Sequence, residues 1–193
     1  MKKIIFHSVL VLVSISFLAL TFSENNAADK KKHKYIGASK CGMCHKKDDA
    51  GAQLSKWEAS AHAKAFKTLQ TEKADKIAKE KGFKTPAAKT DECLACHTTG
   101  HGEAADMFDK KFDAADGVQC EVCHGAGDDY KSAKVMKDRK ESIANGMIHN
   151  ATPKEIKAAC EKCHNEKSPT FKAFDFDKNW AAIQHPKPAK PVK

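Results

Sequence analysis

Every cysteine in this chain belongs to one five-residue pattern that occurs four times. The copies are Cys41-Gly42-Met43-Cys44-His45, Cys93-Leu94-Ala95-Cys96-His97, Cys120-Glu121-Val122-Cys123-His124 and Cys160-Glu161-Lys162-Cys163-His164. The pattern suits one cofactor. Two thiols three positions apart can each add across a vinyl group on one porphyrin edge, and the His that follows reaches the iron from one face, which makes C-x-x-C-H the attachment signature of c-type haem. With ten histidines in 193 residues, four of four C-x-x-C pairs running into His is a chance event of order one in 10⁵. Paired C-x-x-C would suit a zinc site but needs no following His. A thioredoxin-like motif occurs once, on a βαβ unit, and a disulfide framework fixes no His offset. The reading is four covalent haem c groups. Cys41, Cys44, Cys93, Cys96, Cys120, Cys123, Cys160 and Cys163 form the thioethers, and His45, His97, His124 and His164 are the proximal iron ligands.

Attachment of this kind takes place outside the bacterial cytoplasm, and the N-terminus agrees. Met1-Lys2-Lys3 is a short positive region, and Ile4 to Phe22 is apolar, followed by a cleavage signal at residue 23 or as late as 28. Residues 1–23 read as a signal peptide; an uncleaved anchor is the alternative. Residues 24–193 read as one tetrahaem domain of periplasmic location, with no further span. Within it, 29–34 is a charged, solvated leader containing His33, and 186–193 is a flexible Pro/Lys tail.

Charge and hydropathy acquire meaning only with the haems counted. A formal charge of +9 would by itself suggest an anionic partner, but a ferric haem with two propionates carries roughly −1, so four cancel nearly half of it. Nucleic acid is therefore excluded as the natural partner. A mean hydropathy of −0.59 and an Ala-rich apolar stock leave too little for a conventional core. The porphyrins would supply it. A compact chain of this size has a radius of gyration of about 15–16 Å, so four haems must pack closely.

The fold class expected is mostly α: a small multihaem fold of helices and long loops wrapped around four haems. Trp57, Ala61, Ala65 and Leu69 recur every four residues, predicting a helix from Leu54 to Lys81 closed by Gly82. His62 beside that stripe is a candidate distal ligand. The stretch 98–117, with three glycines, reads as loop with one short helix near 103–108; its His101 is too close to His97 to return to the same iron, and reads as a surface residue or a ligand of another haem. Gly125 and Gly127 would let backbone approach a porphyrin. Lys131 to Ala144 is a moderately amphipathic helix ended by Gly146, and Thr152-Pro153-Lys154-Glu155 is a capping box starting the helix that carries Cys160. His149, between them, reads equally as loop residue and as distal ligand. Phe171, Phe174, Phe176 and Trp180 need an apolar surface, and haem faces are available. Pro186 biases His185 to an extended backbone that suits an axial imidazole. Of the methionines, Met43 is confined within a haem-attachment motif, and Met107, Met136 and Met147 read as packing residues rather than ligands.

Beyond the haem motifs themselves, four stretches resemble the tetrahaem cytochrome c-554 family over nearly the whole mature chain. They are Trp57-Glu58-Ala59-Ser60-Ala61-His62-Ala63, Cys93 through Gly100, Gly117 through Gly125, and Ser168-Pro169-Thr170-Phe171. The resemblance implies a mostly helical fold with haems in stacked, near-contact pairs, three of them bis-His. It implies His62 as distal ligand of the third haem (proximal His124) and His185 as that of the fourth (proximal His164). The second haem, on His97, would be open, with Pro169, Thr170 and Phe171 walling its distal side. In one respect the chain departs from the family, which takes the distal ligand of the first haem from a His soon after the third motif. Residues 125–140 contain no His, so His149 and then His101 are the substitutes. The function implied is electron transfer between redox proteins. A haem enzyme or gas-binding protein, for example one reducing nitric oxide at the open iron, is the alternative.

Overall fold

The computed structural model describes residues 32–185. The signal sequence, residues 29–31 of the leader and the tail 186–193 lie outside the described residues. The fold is mostly α, with short helices separated by turns and one isolated parallel bridge, Tyr35 to Phe108. Among the described residues no helix is long and apolar enough to cross a membrane.

Each C-x-x-C-H motif lies at the C-terminal end of a helix. Helix α1 (Ala38–His45) carries the first, α5 (Asp91–His97) the second and α6 (Cys120–His124) the third. Helix α9 (Pro153–Cys160) delivers Cys160, and the chain then turns through Cys163 and His164. The capping box read from Thr152 and Glu155 is formed in full, with Pro153 at the first turn. The first motif thus ends a short helix of its own.

Two predicted helices are broken, and the breaks have side-chain causes. The span 54–81 divides into α2 (Gln53–Ala59), a 3₁₀ turn at His62–Lys64, α3 (Ala65–Leu69) and α4 (Glu72–Glu80). Ser60 is extended and its hydroxyl donates to the Trp57 carbonyl while accepting from His62 N–H. Thr71 caps α4 by accepting from Ala74 N–H. Hydroxyl side chains that satisfy backbone groups locally compete with helix continuation. In the same way 131–144 splits into α7 (Ala133–Met136) and α8 (Arg139–Ala144), capped by Ser132 and Asp138. Helix α10 (Phe176–Ile183), capped by Asp175, carries Phe176 and Trp180 of the C-terminal aromatic stretch.

The protein's own apolar interior is small. One cluster joins Leu69, Ala78 and Ala87 to Phe83 and Leu94. Another stacks Tyr35 on Phe108, centroids 5.5 Å apart, with Phe112 4.7 Å from Phe108. Met107 is buried and packs as read; Met43 is 69% exposed, outside any core. Charges at +1 and −1 sit around these clusters as ordinary surface pairs, such as Lys40 to Asp109 at 2.7 Å.

Candidate haem-binding site

The four motifs meet out of chain order. The thiols of Cys41 and Cys120 are within hydrogen-bonding reach, joining the first motif to the third. Those of Cys96 and Cys163 are likewise paired, joining the second to the fourth. Cys123 and Cys160 feel each other's charge, linking the third to the fourth. None of the eight is joined to another in a disulfide. Burial pushes the Cys163 thiol up to about 11, and Cys93, Cys123 and Cys160 upward as well, so these sulfurs sit in apolar surroundings.

The imidazoles are arranged for metal ligation. His97 Nδ1 lies 2.8 Å from the Ala65 carbonyl, which can only accept, so Nδ1 carries the proton and Nε2 offers its lone pair. His45 Nδ1 lies 3.2 Å from Gln53 Oε1 and is oriented the same way. Sequence reasoning missed both partners. Ala65 acts through its backbone and leaves no signal in residue type, whereas Gln53, eight residues after His45, could have been found by asking which nearby acceptor orients that ring.

Two further pairs are closer still. His62 and His164 have ring centroids 6.1 Å apart, and His124 and His185 5.9 Å. An iron bonded at about 2 Å to one nitrogen of each of two imidazoles puts their centroids about 6 Å apart. The residues present thus fit haem: paired thiols, oriented imidazoles, and two ring pairs at the spacing an axially bridged iron requires. Burial, with His185 nearby, pushes His124 down to about 4; burial and then His164 push His62 down. Neutral imidazole is the form that ligates metal.

The resemblance implies His62 for the iron on His124 and His185 for the iron on His164; the rings that lie close in the structure are His62 with His164 and His124 with His185. The His62 backbone is held at Gly117 and Val118, on the approach to the third motif. Val118 N–H donates to the His62 carbonyl at 3.0 Å, and Trp57 Nε1 donates to the Val118 carbonyl at 2.8 Å. Gly117, at φ 77° and ψ −134°, adopts a backbone that essentially only glycine enters. A Cβ there would lie 2.7 Å from the His62 carbonyl oxygen. The two segments are pinned by their backbones, and the His62 ring projects to the fourth motif.

The remaining histidines separate into three situations. His101 is exposed and its Nε2 lies 3.3 Å from Asp91. His149 is exposed, with Arg139 3.4 Å from its Nε2, and near enough to His124 to bear on its charge. His33, read as part of a solvated leader, is instead half-buried: its Nδ1 lies 2.8 Å from Asp129 and its ring rests on Gly146. Of the wall candidates, Pro169, Thr170 and Phe171 are exposed, and Phe174 rather than Phe171 stacks on His164, at 4.9 Å. The glycines after the third motif approach protein rather than open space, Gly125 facing the Gly146 carbonyl and Gly127 facing Ile36 and Glu121.

Comparison with known proteins identifies the family. The family model described as cytochrome c554 and c-prime matches residues 40–125, which include the first three motifs. A curated relative, cytochrome c-554 of Nitrosomonas europaea, is 30% identical over 163 residues. The alignment covers 79% of this chain, and the chain spans 66% of that relative's length. No solved structure matches. With thiols and imidazoles placed as haem c requires, the chain belongs to the cytochrome c-554 family of c-type cytochromes.

Proposed function

We propose that the protein is a periplasmic electron relay holding four haem c groups, one on each C-x-x-C-H motif. His45, His97, His124 and His164 are the proximal ligands. His62 completes the iron held by His164, and His185 the iron held by His124. The observation that carries this reading is the pair of imidazole–imidazole separations, 6.1 and 5.9 Å. Each haem iron supplies a one-electron ferric/ferrous couple, and bis-His ligation leaves no position for a substrate and favours low potentials. The chain's own contribution is placement. Neighbouring thiols bring the first motif to the third, the third to the fourth and the fourth to the second, which orders the sites as a continuous path. Gln53 and the Ala65 carbonyl hold the protons of His45 and His97 on the outer nitrogen. The partners are other redox proteins, a donor and an acceptor.

The test combines intact mass with a spectroscopic redox titration of periplasmic protein. Four covalent haems, at least two of them low-spin, are expected; fewer than four in fully matured material would remove the assignment of a motif.

A second reading, gas binding or catalysis at an open iron on His97, is favoured by one observation: the His101 imidazole is engaged by the Asp91 carboxylate, at 3.3 Å. Adding carbon monoxide to the reduced protein decides it. About one equivalent per four haems supports an open site. No binding, where a known five-coordinate haem saturates, retires it.

A further inference from the structure

The second residue of the third motif is a glutamate, and it is 2% exposed. A carboxylate so placed costs free energy unless its oxygens are satisfied. Glu121 achieves this with three backbone donors. Oε1 accepts from Ile36 N–H at 2.9 Å and from Gly127 N–H at 2.8 Å, and Oε2 accepts from Gly37 N–H at 2.8 Å. Burial pushes the Glu121 carboxyl up, and the three N–H groups, all donors, pull against it by favouring the ionised form. Beside it, Gln119 Oε1 accepts from Ala38 N–H at 2.7 Å. Two side chains flanking Cys120 therefore hold the first turn of α1, the helix that carries Cys41.

One of those two side chains is charged and the other is not, although both accept from backbone N–H groups at the start of α1; Gln119 Nε2 also donates to the Asp113 carbonyl at 2.8 Å. The charge falls between two haem attachment points: Glu121 follows Cys120 directly, and its carboxylate holds the start of the helix that carries Cys41. An anion beside those attachment points disfavours the electron that reduces an iron held there. In a low-dielectric interior such a charge acts at several ångströms with little screening.

We infer that Glu121 is a positioning residue with an electrostatic role: it seats the first motif on the third and its fixed negative charge holds down the reduction potentials of the haems on those two motifs. The inference rests on the reading that both motifs carry haem. The neutral Gln119 serves as the internal comparison, since it makes the same kind of contact without the charge.

The experiment is a redox titration of the mature holoprotein, with intact mass measured on each variant. Glu121→Gln should leave four haems attached and raise two of the four potentials, shifting the ferric-to-ferrous ratio at a fixed potential about tenfold, or about 59 mV for a one-electron couple. Gln119→Leu, which removes a contact but no charge, should leave those potentials within a small fraction of that shift. Glu121→Gln without a shift, or Gln119→Leu with an equal one, overturns the electrostatic role. Should Glu121→Gln fail to mature, Gln119→Glu adds a second anion at the same helix start and must lower the same two potentials; no lowering overturns the inference. Loss of haem mass at the first or third motif in the unmutated protein would instead refute the four-haem reading, so the two failures are distinguishable.

Discussion

Replacing Gly117 by alanine tests how the fold delivers an axial ligand, because Gly117 sets the position of His62 without touching any haem. The cost has two parts. Holding alanine at φ 77° and ψ −134° costs about 1–3 kcal/mol. The new Cβ would also sit 2.7 Å from the His62 carbonyl oxygen, 3.2 Å from Ala65 N and 3.3 Å from Phe66 N, all backbone atoms that cannot rotate aside. The segment must retreat, loosening the bonds from Val118 N–H to His62 and from Trp57 to Val118, each contributing about 1 kcal/mol. The sum is about 3–5 kcal/mol, which at about 2–4 °C per kcal/mol for a chain of this length lowers Tm by roughly 6–20 °C. Gly82→Ala is the matched control: its φ is 85°, but nothing lies within 4 Å of the added carbon, so only the backbone cost, about 1–2 kcal/mol, applies. Thermal melts of both variants measure the difference. Ferric absorption and electron paramagnetic resonance spectra then report whether the iron on His164 gains high-spin character in Gly117→Ala alone. A Gly117→Ala protein that melts with Gly82→Ala and keeps all its low-spin haem would refute the claim that Gly117 governs His62.

His62→Ala and His185→Ala should each convert one low-spin haem to high-spin with the haem mass unchanged; an unaltered low-spin count in both would sink their assignment as ligands. His33→Ala should lower thermal stability, since it leaves the Asp129 carboxylate half-buried without its imidazole; a melt identical to the parent's would return His33 to the solvated leader. The Glu155 carboxyl lies below the usual carboxylate range because Thr152 and Ala151 N–H groups and the Thr152 hydroxyl donate to it. Its folded pKa being depressed, its help to α9 is complete above the ordinary carboxylate range and is lost as pH falls through the lowered value. Glu155→Gln should therefore remove part of the acid-side fall in stability while changing little in acid, and parallel pH–melting curves would contradict this.

Sequence alone made the chemistry of attachment legible, because two thiols and an imidazole at fixed offsets are a local requirement. The capping box at Thr152 is local too, and it formed as read. What sequence did not disclose was where segments meet. The period of four from Trp57 to Leu69 is a true apolar stripe, but Ser60 and Thr71 satisfy backbone groups with their own hydroxyls and divide it. His62 and His185 could be recognised as candidates by their surroundings, yet which rings they approach depends on long-range contacts, such as the one that holds the His62 backbone at Gly117, more than fifty residues away. His33 is the instructive case. A run of lysines around it signals solvent, and only a long-range contact with Asp129, itself beside the Asp128 that receives Lys34 N–H, draws it inward.

The alternation of the motifs along the path has a consequence for how the chain can be divided. A relay assembled as two consecutive pairs could be cut between them into two working halves. Here the first motif abuts the third and the second abuts the fourth, so any cut in the middle severs both pairings at once. The last described residue, His185, stands against the imidazole of the third motif, so even a short truncation at the C-terminus reaches the middle of the assembly. Such a chain is interlocked: closing each long loop costs only slowly growing entropy, but none of the sites is complete until distant parts have met. With one haem on each motif, as proposed, the sites would be gained and lost together rather than one at a time.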